Sequence, residues 1–288
     1  MTQFADRATR PSYVAISGAA GGLGKAFAVE CASRGWDLFL TDLSAAPLEQ
    51  LAVSLRNAYS VKVAVQACDL TDAAARANLF EQIRASGLHF WALINVAGLD
   101  YEGLFYQQTS RQIQTIIRLN IEGTLDMTHS LLEYRDPLQV FRIINVSSLA
   151  AFYPMPVKAT YAASKRFLLD FSRALSQELR GLGVTVTVLC PAGMPTTSAC
   201  IQSIQAQGWM GQITTCDVGR VANQTLNAAL AGRGLVIPGL VNQLLQTLGG
   251  LVPAPLVAAL IGRRWKSAHQ KRALAQHLVE SWPAVPGA

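Results

Sequence analysis

Tyr161 and Lys165 lie four residues apart in Tyr161-Ala162-Ala163-Ser164-Lys165, so a helix here sets a phenol and an ammonium on one face. A phenol ionises near pH ~10 and is a poor proton shuttle at neutrality, but a fixed cation beside it favours the phenolate and lowers that value. Tyr161 is thereby a candidate general acid/base, and Lys165 is the group expected to depress its pKa. Tyrosine and lysine meet at this spacing by chance on many helices. The residues upstream give the pair its context.

Tyr13-Val14-Ala15-Ile16-Ser17 reads as a buried strand and runs straight into Gly18-Ala19-Ala20-Gly21-Gly22-Leu23-Gly24, with a small-residue helix pattern from Lys25 to Arg34. Strand, glycine turn and helix in this order suit phosphate binding. Gly18 permits a tight turn, while Gly22 and Gly24 let a pyrophosphate approach the unpaired N–H groups of a helix N-terminus. A plain flexible loop is the competing reading. The second strand, Asp37 to Thr41, is closed by Asp42, eighteen residues after Gly24. A carboxylate there can accept hydrogen bonds from ribose hydroxyls and repel a 2′-phosphate, which favours NAD over NADP. Capping or turn formation is its ordinary alternative.

Further strands are predicted at Val61 to Val65, Trp91 to Ile94, Phe141 to Val146 and Val184 to Leu189. Between them fall helices over Leu48 to Tyr59, from a Thr71 cap to near Ser86, through Asn120 as one long helix, and from the Tyr161 segment to about Gly181. Continuously apolar strands alternating with helices imply a parallel sheet covered on both faces: an α/β, Rossmann-type doubly wound domain. Ligands bind such sheets beyond the carboxyl ends of the strands. Asp42, Asn95, Ser148 and Pro191 all fall at that edge.

Taken together, these residues resemble the classical short-chain dehydrogenase/reductase (SDR) family over roughly residues 11 to 197. The family's T-G-x-x-x-G-x-G stands here as Ser17 to Gly24, with Ser for Thr, and its N-N-A-G as Asn95-Val96-Ala97-Gly98. Its serine is matched by Ser148, thirteen residues before Tyr161, and its helix asparagine by Asn120. The resemblance implies a catalytic set of Asn120, Ser148, Tyr161 and Lys165. For the coenzyme it implies Gly18, Gly22, Leu23 and Gly24 at the pyrophosphate, Asp42 at the ribose, and Asp69 and Leu70 beyond it. On the nicotinamide side it implies Asn95, Ala97, Gly98, Tyr161, Lys165, Pro191, Gly193 and Thr196. The proline–glycine segment departs from the family's commonest form as Pro191-Ala192-Gly193. NADP-preferring relatives commonly carry a basic residue where this chain has Gly21 or Leu43, which agrees with NAD. Asn120 is expected to hold a water that links Lys165 to solvent.

With 51% hydrophobic and 15% charged residues the chain is globular. The net charge of +6 belongs to the tail: beyond Ala231 there are six basic residues and one acid, Glu280, so the rest is nearly neutral and a nucleic-acid role is not supported. Five scattered cysteines without a C-x-x-C pair fit free thiols in a reducing compartment, and the polar start fits a cytoplasmic protein. The four histidines lack metal-ligand spacing, so no metal is expected. Lys158 and Arg166 read as solvated flanks of the catalytic helix. Ser147 reads as a strand-end hydrogen-bonding residue, and Phe152, Tyr153 and Met155 as pocket lining or plain packing.

The expected organisation is one catalytic domain over 1–238, with a substrate lid over about 194–216 carrying Trp209 and Met210, and a helical C-terminal extension over 239–288. Asp217 should cap a helix through Val221 to Leu230, and Leu235 to Ile237 should add an edge strand. No charge falls between Gly234 and Gly262, but Pro238, Gly249, Gly250, Pro253 and Pro255 interrupt the span, so two short amphipathic helices are expected rather than one transmembrane helix. They can close a hydrophobic pocket, join subunits, or lie peripherally on an anionic membrane. This tail loosely resembles that of hydroxysteroid or retinoid dehydrogenases. The expected function is an NAD-dependent oxidoreductase acting on a small hydrophobic secondary alcohol or ketone, as a homodimer or homotetramer. A 3-oxoacyl thioester reductase and a non-catalytic dinucleotide sensor or scaffold are the alternatives.

Overall fold

The computed structural model describes residues 11–196, 200–201, 213–249 and 252–263. Seven strands form one parallel sheet: β1 (Ser12–Ser17), β2 (Leu38–Asp42), β3 (Val63–Ala67), β4 (His89–Asn95), β5 (Phe141–Val146), β6 (Val184–Leu189) and β7 (Leu235–Val236). Their order is β3-β2-β1-β4-β5-β6-β7. The chain builds outward from β1 in one direction, then returns to β1 with β4 and builds the other way. That reversal opens a crevice beyond the carboxyl ends of β1 and β4.

Alternate strand residues serve opposite faces. On one, α1 (Gly22–Ser33), α2 (Ala45–Tyr59) and α7 (Val218–Leu230) bring Phe27, Leu48, Val221 and Leu226 onto Val14, Ile16, Leu38 and Leu40. On the other, α3 (Ala73–Ser86), α5 (Thr124–Glu133) and α6 (Ala159–Glu178) pack on the opposite set; there Leu79, Ile83, Met127 and Leu131 cover Ala15, Phe39, Leu93 and Ile143. The expected doubly wound sheet is therefore present. β5 and β6 occupy the predicted residues, whereas β3 starts at Val63 instead of Val61, because the ladder begins only after the Lys62 amide has bonded the Asp37 carboxylate at 2.8 Å.

Two local expectations are corrected. Asp72, not Thr71, caps α3: its carboxylate accepts from the Ala74 amide at 2.9 Å, while the Thr71 hydroxyl is turned back to Asp69 at 2.7 Å. The long helix through Asn120 is instead α4 (Ser110–Ile117), a π-helical turn over Arg118–Gly123, and α5. One extra residue in that turn rotates α5 relative to α4, and Asn120 is fully buried as a result.

Asp217 caps α7 as expected, accepting from the Arg220 amide at 2.8 Å. The extension forms α8 (Leu240–Gly249) and a further helix, α9, over 254–263, and no helix among the described residues is long and apolar enough to cross a membrane. Trp209 and Met210 of the expected lid, the basic run from Arg264, and the chain's last residues lie outside the described residues.

Candidate active site

The glycine turn is packed against itself and its neighbours. Gly18 has φ +67°, and a side chain there would lie 2.6 Å from the Ala97 amide nitrogen, so β1's turn and the segment after β4 touch backbone to backbone. A Cβ on Gly24 would meet the Gly18 carbonyl at 2.0 Å, and one on Gly22 would meet the Thr196 side chain at 2.7 Å. Gly21 caps α1 without any side-chain hydrogen bond, so the first-turn N–H groups keep their donors for a ligand. A backbone cradle that admits no side chain, over uncapped amides, suits a dinucleotide pyrophosphate.

Asp42 ends β2, where its two carboxylate oxygens accept from the Ala20 amide at 2.9 Å and the Leu43 amide at 2.7 Å. The turn-forming role is thus real, and each oxygen retains a lone pair for a ribose hydroxyl. Asp69 is exposed, with one oxygen closing a turn on Thr71; Leu70 is core, and its carbonyl accepts from Arg76 at 2.7 Å. Asn95 differs from expectation in kind. Its amide donates to Thr128 at 3.0 Å and Asn145 at 2.9 Å, so the side chain is a buried strut between β4, β5 and α5, and only its backbone borders the crevice. Pro191 and Gly193 use their carbonyls to hold Leu149 and Cys216, at 2.8 and 3.1 Å. Thr196 lies across the turn from Gly22.

Ser148, Tyr161, Lys165 and Asn120 converge. Ser148 accepts from the Ala150 amide at 3.1 Å, which fixes its rotamer, and its hydroxyl favours ionisation of the Tyr161 phenol. Lys165 is 4% exposed; its ammonium donates to the Val146 carbonyl at 2.9 Å and lies 5.8 Å from the Tyr161 ring centre. Ser147, as expected, secures the strand end, donating to the Lys165 carbonyl at 2.6 Å. Asn120 clasps Leu99 through both backbone groups, at 2.9 and 3.1 Å, and donates to Ser164 at 3.0 Å. A Cβ on Gly98 would stand 3.0 Å from the Lys165 nitrogen and 3.2 Å from the Asn120 oxygen, so only glycine leaves those groups their room.

The electrostatics overturn one expectation. Burial, and next to it the Asp100 carboxylate, push the Tyr161 phenol up, while the Ser148 hydroxyl pulls the other way. Lys165 does not offset them, because burial brings its own ammonium down to about 8, with Asp100 opposing. Sequence spacing foretold the neighbours and missed the desolvation. It also missed Asp100, and it misread Lys158. Far from solvated, Lys158 is 14% exposed, ion-paired with Asp100, 3.5 Å from Glu102, and 5.7 Å from the Tyr161 ring centre. Nothing in the local pattern signals a pair 58 residues apart. Arg166 is exposed, as expected.

The chain matches the short chain dehydrogenase family over residues 12–207 and belongs to it. It is 30% identical over 188 residues to human 17-beta-hydroxysteroid dehydrogenase type 3, covering 64% of this chain and 59% of that protein. It is 32% identical over 186 residues to the very-long-chain 3-oxoacyl-CoA reductase of Anas platyrhynchos, covering 62% and 59%. The matches thus span about three fifths of the curated relatives' length. Among solved structures, a short-chain dehydrogenase from Sphingobium yanoikuyae in complex with NADPH superposes with TM-score 0.68 at 26% identity, over 96% of this chain and 98% of that one.

Because the Lys165 pKa is lowered on folding, the unfolded chain binds more protons above pH ~8, and this residue's cost to stability fades as pH rises toward its ordinary value. Relative to Lys165→Met, the unmodified protein should gain about 2 kcal/mol between pH ~7 and ~9.5 in urea unfolding. A constant difference between the two proteins over that range would contradict the burial-depressed ammonium.

Proposed function

We propose that the protein is an NAD-dependent oxidoreductase that moves a hydride between nicotinamide and a hydrophobic secondary alcohol or ketone of steroid-like bulk. The observation that carries this reading is buried Lys165, bonded to the end of β5 and 5.8 Å from the Tyr161 ring centre, at the sheet edge that also bears Ser148 and the glycine turn. Bound nicotinamide supplies the hydride acceptor or donor. Ser148, already oriented from Ala150, holds the substrate oxygen within reach of Tyr161. The phenol, protonated at neutral pH, donates its proton to that oxygen as a ketone becomes an alcohol. In the reverse direction the phenol must first be ionised. Lys165 and Tyr161 together hold the nicotinamide ribose, and Asp42 holds the other ribose, with no basic side chain at Gly21 or Leu43 to attract a 2′-phosphate.

A bulky apolar substrate is supported by what covers the loop after Ser148. Tyr153 donates to the Leu245 carbonyl of α8, and Gly262 of α9 is so close to Pro156 that a Cβ would lie 3.2 Å from its ring. In this reading α8 and α9 wall the pocket on that side. Its helices leave Leu240, Leu244, Leu248, Leu256 and Leu260 exposed, an apolar face suited to peripheral contact with an anionic membrane. Exposed Phe167, stacked on Phe171 with ring centres 6.0 Å apart, suits a homodimer or homotetramer built through α6. The five free thiols suit a reducing, cytoplasmic setting. A 3-oxoacyl thioester reductase is a second reading, favoured by the likeness to the Anas platyrhynchos enzyme.

Purified protein supplied with either coenzyme and a panel of ketosteroids, retinal and 3-oxoacyl thioesters should turn over a bulky ketone with NADH. Tyr161→Phe should lower kcat about 100-fold or more while NADH still binds; comparable turnover by this variant removes the mechanism. Asp42→Ala should shift the kcat/KM ratio toward NADP by about tenfold, the worth of one ribose hydrogen bond. An unchanged ratio counts against the ribose contact.

A further inference from the structure

Two ammonium groups flank the Tyr161 ring at nearly equal distance, 5.8 Å for Lys165 and 5.7 Å for Lys158. Their surroundings differ. Lys165 bonds a neutral carbonyl, whereas Lys158 is ion-paired with Asp100 and has Glu102 at 3.5 Å. Asp100 follows the Asn95–Gly98 segment, and one of its carboxylate oxygens is buried without a hydrogen-bond partner. Such an oxygen projects its charge onto whatever lies near it instead of spending it on a donor.

The backbone is arranged to keep this pair in place. Val157 adopts φ +74°, a left-handed conformation that a β-branched residue takes only when its surroundings impose it. Its carbonyl accepts from the Gly103 amide at 2.9 Å, which ties the strap carrying Asp100 and Glu102 to the residue before Lys158. The strain is thus located where it presents Lys158 to both the Asp100 carboxylate and the Tyr161 ring.

We propose that Asp100, clamped by Lys158, is a positioning residue that sets the ionisation of the Tyr161 phenol, and with it the pH at which the site changes from donating a proton to accepting one. This rests on the oxidoreductase reading above and adds its regulation by charge. Asp100 disfavours the phenolate and favours the Lys165 cation, and Lys158, ion-paired with it, favours the ionised form of Asp100. The other titratable groups acting on Tyr161 are Cys190 and Cys200, each of which also disfavours the phenolate, and Glu102 acts on Asp100. Asp100 comes first among these charges. Asp100 therefore biases the site toward protonated tyrosine, the form that reduces a ketone, and Lys158 moderates that bias.

The test is a pH titration of protein labelled with 13C at the tyrosine Cζ, in which the Tyr161 resonance is the one lost in Tyr161→Phe. Asp100→Asn should lower the Tyr161 midpoint by about one pH unit, the size of effect a near like charge exerts. Lys158→Met should raise it, and Lys158→Arg should restore it. Asp100→Asn combined with Lys158→Met leaves no unpaired ion, which guards against misfolding, and should titrate between the two single variants. The rising limb of kcat/KM for alcohol oxidation should move with the resonance. Folded Asp100 variants whose Tyr161 midpoint and pH profile coincide with those of the unmodified protein overturn the proposal. Since the resonance needs no turnover, a shift without activity on any alcohol fails the oxidoreductase reading and upholds the charge coupling.

Discussion

An ammonium group withdrawn from water must be compensated by fixed partners, and the burial of Lys165 is the constraint on which the rest of this structure depends. Its compensation comes from the carbonyl at the end of β5, so α6, which carries Tyr161, is held against that strand. Ser147 repeats the attachment through the backbone of the same lysine. Space for the nitrogen is provided by Gly98, whose missing side chain also leaves room for Asn120. Three segments distant in sequence are thus brought to one point because a single cation has to be accommodated there, and Tyr161, one turn earlier, takes its position from them.

The sheet makes this possible without contributing a catalytic side chain from within a strand. Because every strand is parallel, every carboxyl end lies on one edge, and the reversal of build direction between β1 and β4 parts the helices there. The glycine turn follows β1, Asp42 ends β2, Asn95 ends β4 and Ser148 follows β5. The buried amides of Asn95 and Asn145 bond each other across the strand ends, and Asn145 continues to Ser172 of α6 at 3.0 Å. A polar ladder therefore stiffens the floor on which the reactive groups stand.

Much of this was legible in the sequence, for reasons that are local. Apolar runs such as Phe141 to Val146 and Val184 to Leu189 fix strands, glycines fix the turn, and spacing along one helix fixes the Tyr161–Lys165 face. What escaped is non-local or many-bodied. No propensity marks the π turn that buries Asn120. The proximity of Asp100 to Lys158 appears only once the segment after β4 meets the start of α6. The sense of the tyrosine shift depends on how many solvent contacts three packed segments remove, and a cation four residues away could not disclose that.

Hydride transfer at the point where Ser148 and Tyr161 meet is the central claim. The most direct measurement is incubation of the protein with a bulky prochiral ketone and NADH deuterated at nicotinamide C4, and then mass spectrometry of the alcohol. Deuterium on the carbinol carbon, delivered to one face only, is the result expected. Saturable NADH binding with no label entering any ketone of the panel would contradict it.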